Sequence, residues 1–240
     1  MPKAFGAPLG DWTAPPPPGP ERIEGRYMHL ERLSSVHTHA LYQALADNHD
    51  ALWDYMVVGP FHAETAFIRW INEQIAAKDP LFYAVIDPVT GQAAGLQSYL
   101  RIAPEIGTIE LGSIVLGAQL QRSRAASEGF IRMIEWAFEA GYRRFEWKCD
   151  ACNLPSRRAA ERLGLSYEGT FRQALHYKGR NRDTAWFAAT DKDWPALREA
   201  YYAWLDPSNF DASGTQIERL SDLTRLVRVS SDPALADHRG

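Results

Sequence analysis

Apolar and polar positions along the 240-residue chain switch between two periods, and these switches predict the elements of the fold. Alternation of apolar and polar residues and short apolar runs predict strands. The predicted strands cover residues 25–33, 81–87, 93–102, 108–116, 142–149, 165–177 and 184–190. Helical spacing of apolar residues predicts helices; they cover residues 35–56, 62–78, 124–140 and 194–205, with a short helix from Asn153 to before Gly164 and a peripheral helix within TQIERLSDLTRLV.

The order of these elements predicts the fold class. Hairpins surround a single strand–helix–strand crossover over 108–149, which excludes a doubly wound parallel sheet. We expect an α/β (α+β) fold with a mixed, mostly antiparallel, twisted sheet and helices on both faces. The chain divides into an extended proline-rich lead-in (1–24), one domain (25–195), and a C-terminal helix and tail (196–240). The lead-in's PPPPGP stretch either lies along the domain, which we favour, or binds a proline-recognition module.

Composition narrows the class of partner. The chain is 45% hydrophobic and 23% charged, which is ordinary for a globular protein. A net charge of −4 and a pI of about 6.0 argue against nucleic-acid and membrane-surface partners. No apolar segment has the length of a membrane span, no signal peptide is evident at the start, and two cysteines make no disulfide framework. We therefore expect a cytoplasmic protein.

The stretch QRSRAA follows the strand 108–116 and begins the next helix. It consists of Gln121, Arg122, Ser123, Arg124, Ala125 and Ala126. The start of a helix offers free backbone N–H groups and a partial positive charge, which favour an anion. Ser123 is placed to cap this helix. The alternative is an ordinary connection with two solvated arginines.

Two longer stretches carry a family resemblance. IELGSIVLGAQLQRSRAASEG and NLPSRRAAERLGLSYEGTFRQALHYKGRNRDTAWFAATDKDW together resemble the GCN5-related N-acetyltransferase (GNAT) superfamily, and within it the RimJ/RimL branch. The matching features are the N-x-x-S start at Asn153 and Ser156, the RLG ending, the YEGTFR strand and the KGRxRD hairpin. They occur in the family's order across residues 25–195.

The resemblance assigns a role to QRSRAA. The family's pyrophosphate motif reads Q/R-x-x-G-x-G/A, so its first and last positions match while Arg124 replaces the central glycine. Arg124 either turns its guanidinium toward a phosphate or crowds the loop and weakens binding. We favour the first, because the small Ala125 and Ala126 behind it are kept.

Acetyl-CoA is the co-substrate that the resemblance implies, with no metal. Its pantetheine arm would lie between strands 108–116 and 142–149 and pair with the backbone at Ile114, Val115 and Leu116. Its diphosphate would lie on residues 121–126. Asn153 would cap its helix and also touch the cofactor.

Two side chains are the implied catalytic groups for direct attack of an amine on the thioester. Glu110 would accept the amine proton through a water, or it is simply paired with a neighbouring basic residue. Ser156 would donate to the leaving thiolate, or it is a first-turn serine bonded to backbone amides. A backbone N–H near Ile114 would serve the oxyanion.

The acceptor is a primary amine of a small molecule or a protein N-terminus, and Tyr55, Tyr99 and Arg101 are its expected contacts. Trp53 is expected in the core, and Arg180 and Arg182 are expected to be solvated, with contact to an acidic acceptor as the alternative. A non-catalytic acyl-CoA-binding or interaction module is the rival function, because Arg124 departs from the motif. A redox role for the C-x-x-C at 149–152 is disfavoured, and a homodimer through 194–205 and the tail is left open.

Overall fold

Eight strands form one sheet in the computed structural model, which describes residues 3–46 and 49–236. The strands are β1 (Arg22–Glu24), β2 (His29–Arg32), β3 (Leu81–Ile86), β4 (Ala93–Ala103), β5 (Thr108–Leu116), β6 (Arg144–Asp150), β7 (Ser166–Tyr177) and β8 (Arg180–Thr190). Their order is β1-β2-β3-β4-β5-β6-β8-β7. All neighbours are antiparallel except β5 and β6, which are parallel, so the predicted mixed sheet is confirmed.

Helices cover both faces of this sheet. They are α1 (Thr38–Leu45), α2 (Glu64–Ala76), α3 (Arg124–Glu139), α4 (Leu154–Arg162), α5 (Trp194–Leu205), α6 (Leu220–Thr224) and α7 (Pro233–Ala236). Alternate residues of β3 divide between two cores: Phe82 and Ala84 pack in the core of α1 and α2, whereas Tyr83 and Val85 pack in the core of α3 and α5. Helix α3 is the crossover between the parallel strands β5 and β6.

Two predicted elements are shorter than expected. The helix predicted over 35–56 ends at Leu45 and is followed by a 3₁₀ turn at Asp50–Trp53, because the buried Trp53 donates from Nε1 to the Leu45 carbonyl at 2.7 Å. Positions 47 and 48 of that prediction lie outside the described residues. The strand predicted over 25–33 begins only at His29, because the N–H groups of Arg26 and Tyr27 bond instead to the Glu128 carboxylate.

Both extensions pack against the sheet and its helices. The proline-rich stretch lies along the domain, where Pro16 and Pro20 carbonyls accept hydrogen bonds from Tyr142 and Tyr83. Trp204 and Leu220 belong to the same core as the sheet. None of the described helices combines the length and apolar character that a membrane crossing requires.

Candidate functional site

Strands β5 and β6 part halfway along their length. They pair from Thr108 with Arg144 to Leu111 with Trp147, and within the described chain no pairing continues beyond that point. Ser113 has φ of 50°, which breaks the regular strand conformation of β5 and displaces its register with β4. Strand β6 stays paired with β8 up to Asp150. Residues 112–116 and 148–150 therefore bound an open wedge.

The start of α3 lies after the end of β5. Ser123 caps the helix as predicted, accepting from the Ala126 N–H at 3.0 Å. Among the described residues, the N–H groups of Arg122, Arg124 and Ala125 have no hydrogen-bond acceptor. Such unpaired amides carry the partial positive charge of a helix start. This turn can therefore hold an anion through its backbone.

Arg124 is fixed beside this turn by two aromatic rings. Its guanidinium carbon lies 3.7 Å from the centre of the Tyr27 ring and 4.1 Å from that of Phe210. The two rings pack edge to face with each other, 63° apart, and both contact the guanidinium, so cation–π attraction holds Arg124 beside the turn. Phe210 comes from the segment after α5, so the C-terminal part of the chain contributes to the surroundings of the α3 start.

A cavity of about 370 Å³ extends from the wedge to the segment that follows α1. One wall contains Gly112, Ser113 and Ile114 of β5, Lys148, Cys149 and Asp150 of β6, and Asn153 and Ser156 at the α4 start. The other side is bounded by the segment 55–58, Leu175 and Arg182. Groups held in the wedge and groups entering from that far side therefore meet in one space.

Glu110 is buried at the bottom of this cavity, with 2% of its surface exposed. Its Oε2 lies 2.9 Å from Arg101 Nε and 2.8 Å from Lys148 Nζ, so the basic partners considered as an alternative role are present. Burial raises the pKa of Glu110, and the charges of Lys148 and Arg101 oppose this; the pKa remains above its ordinary value. A carboxylate with a raised pKa is a better proton acceptor near neutral pH.

Ser156 faces the wedge from the first turn of α4. Asn153 caps this helix as predicted, its Oδ1 accepting from the Ser156 N–H at 3.1 Å. The Ser156 Oγ accepts from Trp147 Nε1 at 3.0 Å instead of binding backbone amides, so its own hydrogen can be donated elsewhere. Burial raises the pKa of the neighbouring Cys149 thiol to about 11, which makes it a poor nucleophile. Cys152, its partner in the C-x-x-C, is exposed.

Two of the three residues expected to contact the acceptor line the cavity, and the third does not. Tyr55 and Arg101 line the cavity, whereas the placement expected for Tyr99 is wrong. Tyr99 is fully buried on the α3 face, where its hydroxyl donates to the Met133 carbonyl at 2.7 Å. Strand alternation would put Tyr99 and Arg101 on one face, but Arg101 has φ of 45°. Its N–H bonds to the Asp79 carboxylate, and this bulge turns Arg101 toward the cavity.

Three further cavity residues were not predicted as site residues. Lys148 and Asp150 lie on β6, opposite Trp186 and Thr184 of β8, and Arg182 follows at the next same-face position of β8. The expectation that Arg182 is solvated is wrong, because it is half-buried and lines the cavity. The alternation of YRRFEWKC predicts the strand, but it could have placed Lys148 in the cavity only if the register between β6 and β8 had been known. Within the described ranges, no group of three or more metal-binding side chains is placed to hold an ion.

Comparison of the chain with known proteins finds acetyltransferases of one family. The sequence profile described as "Acetyltransferase (GNAT) domain" matches residues 28–166. A crystal structure of a GCN5-related N-acetyltransferase from Brucella melitensis is 43% identical, covers 90% of this chain and 100% of its own, and superposes with a TM-score of 0.88. A GNAT-family structure from Chromobacterium violaceum ATCC 12472 is 37% identical over 82% of this chain and 100% of its own, with a TM-score of 0.76.

More distant structures share the fold. The RimL ribosomal L7/L12 alpha-N-protein acetyltransferase, solved in complex with coenzyme A, is 22% identical. The alignment covers 71% of this chain and 99% of RimL, with a TM-score of 0.62. A comparison with curated proteins finds no match.

Proposed function

Because this chain belongs to the GNAT acetyltransferase family, we propose that it transfers the acetyl group of acetyl-CoA to a primary amine of a small molecule or a protein N-terminus. The observation that carries this proposal is the wedge between β5 and β6, which opens into a cavity containing Glu110 and Ser156. In this proposal the amine attacks directly while both substrates are bound. The N-x-x-S start, the YEGTFR strand and the KGRxRD hairpin favour the RimJ/RimL branch.

The residues of the wedge fit the proposed co-substrate. The edge of β5 over 112–116 has backbone groups that β6 leaves unpaired, and these suit the amides of a pantetheine arm. The free N–H groups of Arg122, Arg124 and Ala125 suit a diphosphate. The Arg124 guanidinium, held by Tyr27 and Phe210, adds a cation at the same place. Bound there, acetyl-CoA supplies an acetyl thioester.

Proton transfer is assigned to two side chains that line the cavity. Glu110 takes the proton of the incoming amine, directly or through a water, and its ion pairs with Arg101 and Lys148 hold it in position. The Ser156 hydroxyl, oriented by Trp147 Nε1, donates to the departing sulfur. A backbone N–H near Ile114 serves the carbonyl oxygen, since β5 is unpaired with β6 there.

Release of free thiol from acetyl-CoA in the presence of a panel of amines tests the proposal. We expect turnover by the wild type and a loss of about 100-fold or more in kcat/KM for Glu110→Gln, within the range for general bases. Glu139→Gln, on the exposed far end of α3, is the matched control and should keep wild-type activity. Absence of turnover together with absence of CoA binding would contradict the proposal.

The rival function is a non-catalytic acyl-CoA-binding module, which was based on the departure of Arg124 from the motif. The contact of Arg124 with Tyr27 and Phe210 weakens that argument, because the guanidinium is held beside the helix start. Tight acetyl-CoA binding without turnover on any amine would favour the module.

A further inference from the structure

One cation that lines the cavity has no acidic partner. Arg101 and Lys148 are both paired with Glu110. Arg182, the third cation in the wall, has no carboxylate oxygen within 4 Å among the described residues. Its Nε is buried and, among those same residues, has no hydrogen-bond acceptor. A buried donor without an acceptor costs free energy that a suitable ligand would recover.

The remaining carboxylate of the cavity wall is already engaged. Asp150 accepts from the Cys152 N–H with Oδ1 and from the Tyr177 hydroxyl with Oδ2, both at 2.8 Å. Among the described residues, Asp150 forms no ion pair with Arg182, because its oxygens lie more than 4 Å from the guanidinium nitrogens. Lys148 also pairs with Glu146 at 2.8 Å, so the cations Arg101 and Lys148 are balanced by Glu110 and Glu146. The unpaired donors of Arg182, and not a net charge of the wall, therefore favour an anionic group in the occupant.

The far side of the cavity is apolar. Met56, Val57 and Val58 form one wall, and Leu175, beside Arg182 in the β7–β8 pairing, forms another. Val57 and Leu175 are both exposed, although each is a large aliphatic side chain. An occupant with an apolar body would cover this surface.

We propose that the amine acceptor also carries a carboxylate on an apolar body, and that Arg182 binds this carboxylate while the amine faces Glu110. A guanidinium matches a carboxylate with two parallel N–H···O bonds, so a single group would satisfy the free donors of Arg182. This inference rests on the proposed acetyl transfer, and it makes Arg182 the residue that determines acceptor specificity.

Matched pairs of amines test the inference. Phenylalanine and 4-(aminomethyl)benzoate are each compared with their carboxamides, which keep the size and remove the charge. We expect the wild type to prefer at least one carboxylate over its carboxamide by about 10- to 100-fold in kcat/KM, the range for a hydrogen bond to a charged group. Arg182→Gln should abolish this preference by lowering kcat/KM for the carboxylate more than for the carboxamide, and Arg182→Lys should restore part of the preference.

Arg180→Gln is the control, because Arg180 lies two residues away on β8, is exposed and does not line the cavity. It should keep the wild-type preference. A readout without turnover is the affinity for 4-methylbenzoate, which has the carboxylate and no amine. Titration calorimetry should show binding to the wild type and to Arg180→Gln, and at least tenfold weaker binding to Arg182→Gln.

The outcomes separate the two proposals. Turnover of carboxylates and carboxamides at equal rates, or an unchanged preference in Arg182→Gln, would overturn the acceptor assignment and leave acetyl transfer standing. Absence of thiol release with every amine would overturn acetyl transfer; binding of 4-methylbenzoate that depends on Arg182 would still establish the carboxylate site. Equal 4-methylbenzoate affinity in all variants would overturn that site.

Discussion

The ion pair between Arg157 and Asp232 links the C-terminal tail to the start of α4. Asp232 accepts from Arg157 Nε and Nη2 at 2.6 Å each, and Arg157 Nη1 donates to the Ala151 carbonyl at 2.7 Å. The side chains are 6% and 0% exposed, so neither charge is compensated by water. Removing one partner of a buried pair costs about 3–5 kcal/mol because it leaves the other charge buried alone.

Asp232→Ala should therefore lower the free energy of unfolding by about 3–5 kcal/mol, a third or more of the stability of many domains. Urea denaturation followed by tryptophan fluorescence and circular dichroism measures the change. Arg198→Ala is the matched control: Arg198 lies 3.6 Å from Glu199 in an exposed pair and should cost less than about 0.5 kcal/mol.

The double variant Arg157→Met with Asp232→Leu, compared with the two single variants, measures the coupling energy between the two side chains. It removes both charges, so its cost should be smaller than the sum of the two single variants, although the Ala151 carbonyl loses its donor. A cost below about 1 kcal/mol for Asp232→Ala would refute the reasoning, since it would mean that the tail does not bury this charge. If the loss of unfolding free energy in the double variant equalled the sum of the losses in the two single variants, the coupling would be refuted.

Three further predictions concern the cavity and the edge of the sheet. Lys148→Met should move the acidic limb of the kcat–pH profile to higher pH, because the Lys148 charge lowers the pKa of Glu110; an unmoved limb would exclude Glu110 as the titrating base. Ser156→Ala should reduce kcat by up to about 100-fold and leave the calorimetric Kd for acetyl-CoA nearly unchanged, because the thioester sulfur is a weak acceptor until the thiolate forms; a weakened Kd with normal kcat would contradict the assigned role. Hydrogen bonding from His37 lowers the pKa of Glu31, so this carboxylate stabilises the fold above its ordinary pKa of 4.5 and loses that effect as pH falls through its lowered value. Glu31→Gln should accordingly lower the urea midpoint at pH 7, and the difference from wild type should shrink below pH 4.5; a difference independent of pH would contradict this account.

The sequence predicted those parts of the molecule that depend on local pattern. The bounds of β5 and α5 agree with the periodicity, and Ser123 and Asn153 cap their helices as their position before a helical run indicated. These features follow from neighbouring residues alone, because a cap bonds to amides within its own first turn. The mixed sheet followed from the order of elements around the single crossover.

Features set by distant residues were not predictable in the same way. Arg101 faces the cavity only because Asp79, 22 residues earlier, bonds to its N–H and stabilises a bulge in β4. The same bulge separates it from Tyr99, so simple alternation gave the wrong face. The role of Arg182 depends on the register that brings β8 beside β6. That register is a property of the assembled sheet.

A crystal structure with coenzyme A bound tests the central claim most directly, since the proposed binding of acetyl-CoA, and with it acetyl transfer, depends on the wedge. We expect the pantetheine arm between residues 112–116 and 148–150, and the diphosphate within hydrogen-bond distance of the N–H groups of Arg122, Arg124 and Ala125. Coenzyme A bound outside the wedge would contradict the account. So would a structure in which β5 and β6 are paired along their full length, or in which the Arg124 side chain covers the α3 start.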